Sequence, residues 1–241
     1  MPRIEQSTVR NHLLSTLPPE GFARLVDTLQ PVTLVLRQVL YQPDERIGTV
    51  YFLEAGTASM TVTLGDGEGL EVGLVGRDGL VGLPVVLGTD IADTEAMVQV
   101  PGAALCLPAS ALKEALAASP ALQALLLRYV QAAYAQVTQT AACNGRHPLE
   151  KRLARWLLMT HDRVDGELLL LTQEFLATML GVRRAGVSAA AGVLQNAGVI
   201  DYARGRITVL DRAGLEAAAC ECYGAVRRQY ERTLGWPAER V

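Results

Sequence analysis

Between Pro31 and Leu107 the apolar residues fall in short runs that alternate with polar ones or are β-branched: Val32-Thr-Leu-Val-Leu36, Val50-Tyr-Phe-Leu53, Ala58-Ser-Met-Thr-Val-Thr-Leu64 and Leu70-Glu-Val-Gly-Leu-Val75. Glycine-rich turns separate them, Gly65-Asp-Gly-Glu-Gly69 above all. Many short strands at close spacing predict a small β-barrel or roll. A brief helical stretch, Arg10 to Leu29, precedes it and is placed to close one end.

The pattern changes at Pro108. From Ser110 to Cys143 there is no glycine and a single proline, Pro120, after which Leu122, Leu125, Leu126, Tyr129, Val130, Ala133, Tyr134 and Val137 recur at helical spacing. This predicts a long helix with one apolar stripe. Such a stripe either packs on its own domain or meets an identical helix; the alanine-rich flank suits close approach of a second copy. The expected seam of a homodimer is therefore Leu122, Leu126, Tyr129, Val130, Ala133 and Val137.

Asn144-Gly-Arg-His-Pro148 breaks that helix and marks a domain boundary. The expected division is a sensory roll over 1–109, a dimerisation helix and hinge over 110–146, and a second domain over 147–241. The last part reads as a helix (149–161), a short strand (168–171), a helix (172–180), a turn, a helix (184–196), a hairpin (199–210) and a final amphipathic helix from Asp211. Thr172 is placed to cap the first helix of the pair, and Gly181 permits the left-handed backbone that turns the chain. Two short helices across a glycine turn make a helix-turn-helix, whose second helix enters the DNA major groove.

Charge sharpens this picture. The chain of 241 residues carries a net charge of -3, so it is not a generally basic protein, but its acidic excess lies before the hinge and its basic excess after it. From Arg183 to Arg206 there are four arginines and one acid, Asp201. Arg183 and Arg184 open the second helix, where the helix dipole already disfavours cations by roughly 0.3–1 kcal/mol each unless an anion is near; DNA phosphate would supply it. Arg204-Gly-Arg206 forms the tip of a basic hairpin able to touch the backbone beside the groove. Ala185 and Gly186 are small enough for close approach to the groove floor.

From Leu171 to Ser188 the chain reads Leu-Thr-Gln-Glu-x-Leu-Ala-x-x-Leu-Gly-Val-Arg-Arg-x-x-Val-Ser, followed by Leu194, Gly198, Ile200 and the Arg-Gly-Arg-Ile-Thr-Val-Leu-Asp-Arg wing. This resembles the DNA-binding end of the Crp/Fnr superfamily of regulators, and the order of parts agrees over nearly the whole chain. The resemblance implies an α+β fold, with an N-terminal cyclic-nucleotide-binding-like β-roll, a long dimerisation helix and a C-terminal winged helix-turn-helix. It implies a DNA-binding transcription regulator, with Thr172 and Gln173 anchoring the first helix on the backbone and Arg183, Arg184, Ala185, Gly186, Ser188, Arg204 and Arg206 at the DNA. The expected partners are double-stranded DNA with a palindromic operator, a second copy of the chain and RNA polymerase. Where the cyclic-AMP receptor opens its recognition helix with Arg-Glu-Thr-Val-Gly-Arg, this chain has Arg184-Ala-Gly-Val-Ser-Ala189, so its operator should differ.

Relatives that bind cyclic nucleotides resemble one another in a Gly-Glu for the ribose and an Arg for the phosphate. Here Leu83 stands near the Glu, Thr94 or its neighbours near the Arg, and no Lys or Arg occurs between Asp78 and Leu112. A buried cyclic phosphate without a cation loses its main compensation for desolvation, so cyclic AMP is not expected as the signal. No cofactor and no metal is expected: there is no cysteine before Cys106, and His12, His147 and His161 all lie outside the roll. Cys220-Glu-Cys222 is compatible with redox or metal chemistry, and equally with small buried residues, which is the simpler expectation. The competing reading is a small-molecule-binding or enzymatic β-roll with a helical interaction module. It finds no Ser-His-Asp, paired-carboxylate or metal constellation, and Arg77-Asp78 and Asp44-Glu45 read as loop charges. No stretch approaches the roughly 18 apolar residues of a spanning helix, and the N-terminus lacks a signal core, so a cytoplasmic, non-enzymatic protein is expected.

Overall fold

Two short helices, α1 (His12–Ser15) and α2 (Pro19–Val26), lead into six strands: β1 (Gln30–Leu34), β2 (Val39–Tyr41), β3 (Thr49–Thr63), β4 (Gly69–Val75), β5 (Leu80–Val81) and β6 (Glu95–Pro108). The computed structural model describes residues 4–65 and 67–236. All strand pairs are antiparallel, in the order β1-β6-β3-β4, with β2 also on β6 and β5 on β3. The run 50–53 and the run from Ala58, up to Thr63, are one strand, β3, whose register against β6 shifts repeatedly between Leu53 and Ala58. Such bulges bend a long strand so that one chain serves both walls of a roll. The helix expected over 10–29 is divided by Thr16, Leu17 and Pro18 into α1 and α2. A helical turn, α3 (Leu83–Val86), lies between β5 and β6.

After the roll come α4 (Ala109–Ala118) and α5 (Pro120–Arg146), divided at Ser119, whose hydroxyl accepts from Leu122 N at 3.3 Å and starts α5. α5 has two apolar stripes, not one. Leu122, Leu125, Leu126, Tyr129 and Ala133 are buried in the core of their own roll. The expected seam is corrected accordingly: Leu122, Leu126, Tyr129 and Ala133 are not free to meet a partner, because the roll already covers them. The solvent-facing stripe is rotated away from them and holds Leu127 (45% exposed), Tyr134 (63%) and Val137 (38%), with Val130 half-buried beside it.

The C-terminal part follows the expected order: α6 (Leu149–His161), β7 (Leu168–Leu170), α7 (Gln173–Leu180), α8 (Arg184–Asn196), β8 (Ile200–Ala203), β9 (Arg206–Val209), α9 (Arg212–Ala218) and α10 (Cys222–Leu234). β7, β9 and β8 form a three-stranded antiparallel sheet. A second core, with Leu153, Leu157, Leu176, Val187, Leu194 and Ile207 fully or nearly fully buried, holds the helices to it. The single amphipathic helix expected from Asp211 is two helices, interrupted at Ala219-Cys220-Glu221. α10 turns back along α5, and Val226, Tyr230 and Trp236 join the core of the N-terminal roll. The last helix thus bridges both parts, with Tyr223 at its start in the second core and its later turns in the first, across the division expected at residue 147. Among the described residues no helix is long and apolar enough to cross a membrane.

Candidate nucleic-acid interface

Thr172 ends an extended segment and turns its Oγ1 onto Phe175 N at 3.2 Å, the N-cap of α7. Leu176, Ala177, Met179 and Leu180 point inward, with Phe175 half-buried beside them. Gly181 caps α7 with φ 61°, and a Cβ there would stand 2.8 Å from Leu70 Cδ1 of β4. The turn therefore needs glycine for its backbone and for the close seat of α7 on the roll. α8 buries Val187, Ala190, Ala191 and Leu194. Its opposite side, with Arg184, Ala185, Ser188 and Ala189, faces solvent.

Arg183 is the N-cap residue of α8, exposed and without a side-chain capping bond. Arg184 differs from the expectation of an uncompensated cation, since its Nε lies 3.1 Å from Glu174 Oε1 and donates to Gln173 Oε1 at 3.3 Å. Gln173 Nε2 in turn donates to Ser188 Oγ at 3.4 Å. Both members of the Arg184–Glu174 pair are about two-thirds exposed. An exposed ion pair contributes at most about 1 kcal/mol, so a phosphate can displace Glu174 at little cost.

Gly186 also departs from expectation. It faces α6, where a Cβ would come within 3.1 Å of Leu149 Cδ2, so its smallness serves helix packing and not the groove floor. Arg204 (φ 52°) and Gly205 (φ 75°) form the two-residue turn between β8 and β9. Both positive φ values match the twist that closes a tight hairpin. Arg204 and Arg206 are exposed on it, and Tyr202 ties the hairpin to the start of α7 through a 3.0 Å bond from its hydroxyl to Leu171 O. Thr172, Gln173, Glu174, Arg184, Tyr202 and Arg204 surround one surface cleft of about 290 Å³. First helix, second helix and wing thus present their polar groups together.

The comparisons agree with this geometry. Residues 31–119 match the cyclic nucleotide-binding domain and residues 151–218 the Crp-like helix-turn-helix domain. The chain belongs to the Crp/Fnr superfamily of transcription regulators. Among solved structures the regulator is similar to FixK2 from Bradyrhizobium japonicum, at 18% identity over 80% of this chain and 98% of that one, with a TM-score of 0.68. A putative transcriptional regulator of the Crp/Fnr family from Eubacterium rectale has the same TM-score at 17% identity, covering 87% and 98%. A CRP-family regulator from Thermus thermophilus gives 0.63 at 21%, covering 87% and 100%. No curated protein matches the chain.

In the regulator's roll, Leu83 and Thr94, the positions compared with the ribose and phosphate contacts, line one cavity of about 280 Å³. Val130 and Tyr134 of α5 form its far wall, Met60 and Leu87 add apolar surface, and its charged group is Asp93. Among the described residues no Lys or Arg lines it. The sequence missed a different feature, the polar seam between roll and DNA-binding helices. Trp156 of α6 donates its indole N–H to Glu71 of β4 at 2.9 Å, and Asp78 pairs with Arg163, both side chains 2% exposed. Asp78 lies in the turn between β4 and β5, as expected of a loop charge, but is buried there, whereas its neighbour Arg77 is partly exposed and pairs with Asp165 at 3.2 Å. Asp44 and Glu45 are exposed, as expected of loop residues.

Proposed function

We propose that the regulator acts in the cytoplasm as a symmetric homodimer on an inverted-repeat DNA operator, without a cyclic nucleotide as its signal, and influences transcription through RNA polymerase. The observation that carries this reading is the cleft where Thr172, Gln173, Arg184 and Arg204 converge beside an exposed recognition helix. Arg184 would exchange Glu174 for DNA, Arg183 would neutralise phosphate at the helix N-terminus, and Ala185 and Ser188 would face base edges. Arg204 and Arg206 would hold the backbone flanking the groove. The cation-free cavity supports the effector argument, because a cyclic phosphate placed there would face Asp93 instead of a guanidinium.

Selection of bound sequences from a random duplex pool by the purified protein tests this directly. Recovery of an inverted repeat is expected, with half-sites about one helical turn apart. Arg184→Ala should weaken binding to that sequence by about 1–3 kcal/mol, and millimolar cyclic AMP should leave the affinity unchanged. Failure to enrich any sequence, or undiminished affinity of the variant, would remove α8 from the recognition role; a large cyclic-AMP response would remove the effector argument.

The exposed stripe of α5 supports the dimer. Leu127, Val130, Tyr134, Val137 and Ala141 follow one another at alternating steps of three and four, the spacing of a two-helix seam. The variant carrying Leu127→Glu and Tyr134→Glu should sediment as a monomer and lose the palindromic site while keeping its circular dichroism. Sedimentation as a dimer would place the interface elsewhere.

A further inference from the structure

Cys143 is buried near the end of α5, and His147 follows it by one helical turn, at the C-cap. The segment joining α9 to α10 runs Cys220-Glu221-Cys222, with both cysteines buried. Because α10 packs along α5, these halves of a ligand set, far apart in sequence, meet. Cys143 Sγ lies 3.5 Å from Cys220 Sγ, and Cys222 Sγ lies 3.5 Å from His147 Nδ1. The four donor atoms are all within 4.8 Å of one another.

We propose that Cys143, His147, Cys220 and Cys222 bind one tetrahedral zinc ion, which pins the C-terminal helix to the hinge between α5 and α6. The donor set is the first argument. Three thiolates and an imidazole are the soft and borderline ligands that select zinc, and four protein donors form a closed, structural site without a position for substrate. Separation is the second. Zn–S bonds of about 2.3 Å and Zn–N bonds of about 2.0 Å set tetrahedral edges near 3.5–3.8 Å; the Cys143–Cys220 and Cys222–His147 contacts already stand at 3.5 Å, and the other separations, all within 4.8 Å, need only a small contraction. A disulfide would require the Cys143 and Cys220 sulfurs to close to about 2.05 Å. An iron-sulfur cluster places its own iron and sulfide between the ligands and would force these four atoms apart.

The surroundings provide the third argument. The far nitrogen of His147, Nε2, lies 3.2 Å from Glu221 Oε1, so a carboxylate orients the imidazole with Nδ1 toward the sulfurs. This is the outer-shell arrangement that fixes a metal-bound histidine. Gln139 Nε2 donates to Cys222 Sγ at 3.0 Å, a bond that stabilises a thiolate. Arg155, 5% exposed, acts electrostatically on Cys143 and offsets negative charge that three thiolates would gather. The consequence is mechanical: with zinc in place, the hinge after Arg146 and the start of α10 move as one piece.

The test uses the full chain, purified with reductant from zinc-supplemented medium and then measured for metals and for inorganic sulfide. About one zinc per chain is expected, with occupancy reduced at least tenfold in Cys220→Ser, and Glu221→Gln should weaken zinc affinity about 10–100-fold. Titration of the metal-free wild-type protein with cobalt requires no variant and should give the visible bands of tetrahedral cobalt with thiolate absorption in the near ultraviolet. Removal of zinc by a chelator should lower the melting temperature of the wild type and leave that of Cys220→Ser unmoved. Absence of both zinc and tetrahedral cobalt spectra would overturn the proposal. Iron with sulfide in place of zinc would overturn it equally.

Discussion

Asp78→Ala is expected to lower the free energy of unfolding by about 3–5 kcal/mol, the cost of leaving a buried charge without its partner. Arg163 extends from the end of α6 into the roll, where Nε donates to Asp78 Oδ1 at 3.1 Å and Nη2 to Oδ2 at 2.5 Å, a two-point pairing of guanidinium with carboxylate. Further bonds reach Met159 O at 2.8 Å and Gln136 Oε1 of α5 at 3.3 Å. Gln136 Nε2 then donates to Leu74 O of β4 at 3.0 Å. One arginine therefore joins the roll, the long helix and the DNA-binding domain.

Removal of Asp78 alone strands that arginine, and the domains must either part to hydrate it or retain an unpaired ion. Removal of both charges should be milder, since replacing a buried pair by apolar groups of similar volume is often neutral. Urea denaturation of Asp78→Ala, Arg163→Met and the double variant measures the coupling. The double variant is expected to be more stable than Asp78→Ala. Strictly additive losses, or an Asp78→Ala loss below about 1 kcal/mol, would show that the pair does not hold the domains together.

Much of this molecule was legible in sequence because its signals are local. Thr172, Gly181 and the alternation of 200–210 each determine their own turn or cap, and α8 begins and ends where its apolar spacing predicts. Features that depend on two distant segments were not legible. A helix whose apolar residues cover more than one face does not reveal which stripe meets its own roll, so the sequence pattern offers Leu122 and Tyr129 as a seam, while in the structure Leu127 and Tyr134 face solvent. Glu174 became the partner of Arg184 only when the turn at Gly181 folded α7 against α8. Cys143 and His147 form half a ligand set, and the other half waits on the path of α10. Their one-turn spacing and the Cys-x-Cys segment were the available signals, and neither is specific alone.

Glu71 should make the stability of the regulator fall between about pH 4.5 and pH 7. It is wholly buried on β4, and burial raises its pKa from 4.5 to about 7, against the opposing hydrogen bonds from Ser59 and Trp156 and the charges of Arg155 and Arg163. The bonding pattern gives an independent reason. Ser59 Oγ lies 2.6 Å from Glu71 Oε2 and 2.7 Å from Gln99 Oε1, while Gln99 Nε2 faces Thr160 Oγ1 at 3.3 Å, so one hydroxyl hydrogen stands between two acceptors. A protonated Glu71 resolves this by donating to Ser59, which then donates to Gln99. A group whose folded pKa lies above its unfolded value contributes stability in full below the unfolded pKa, and that contribution is lost as pH rises through the folded one. At about 1.4 kcal/mol per unit the loss is on the order of 3 kcal/mol, complete just above neutrality. Glu71→Gln keeps an acceptor for Trp156 and cannot ionise, so it should unfold at a higher urea concentration than the wild type near pH 8 and match it near pH 5. Because Trp156 belongs to the DNA-binding side and Glu71 to the roll, the same deprotonation should loosen their contact, seen as faster amide exchange in α6. Parallel pH profiles for wild type and variant would mean that Glu71 is already ionised throughout the range.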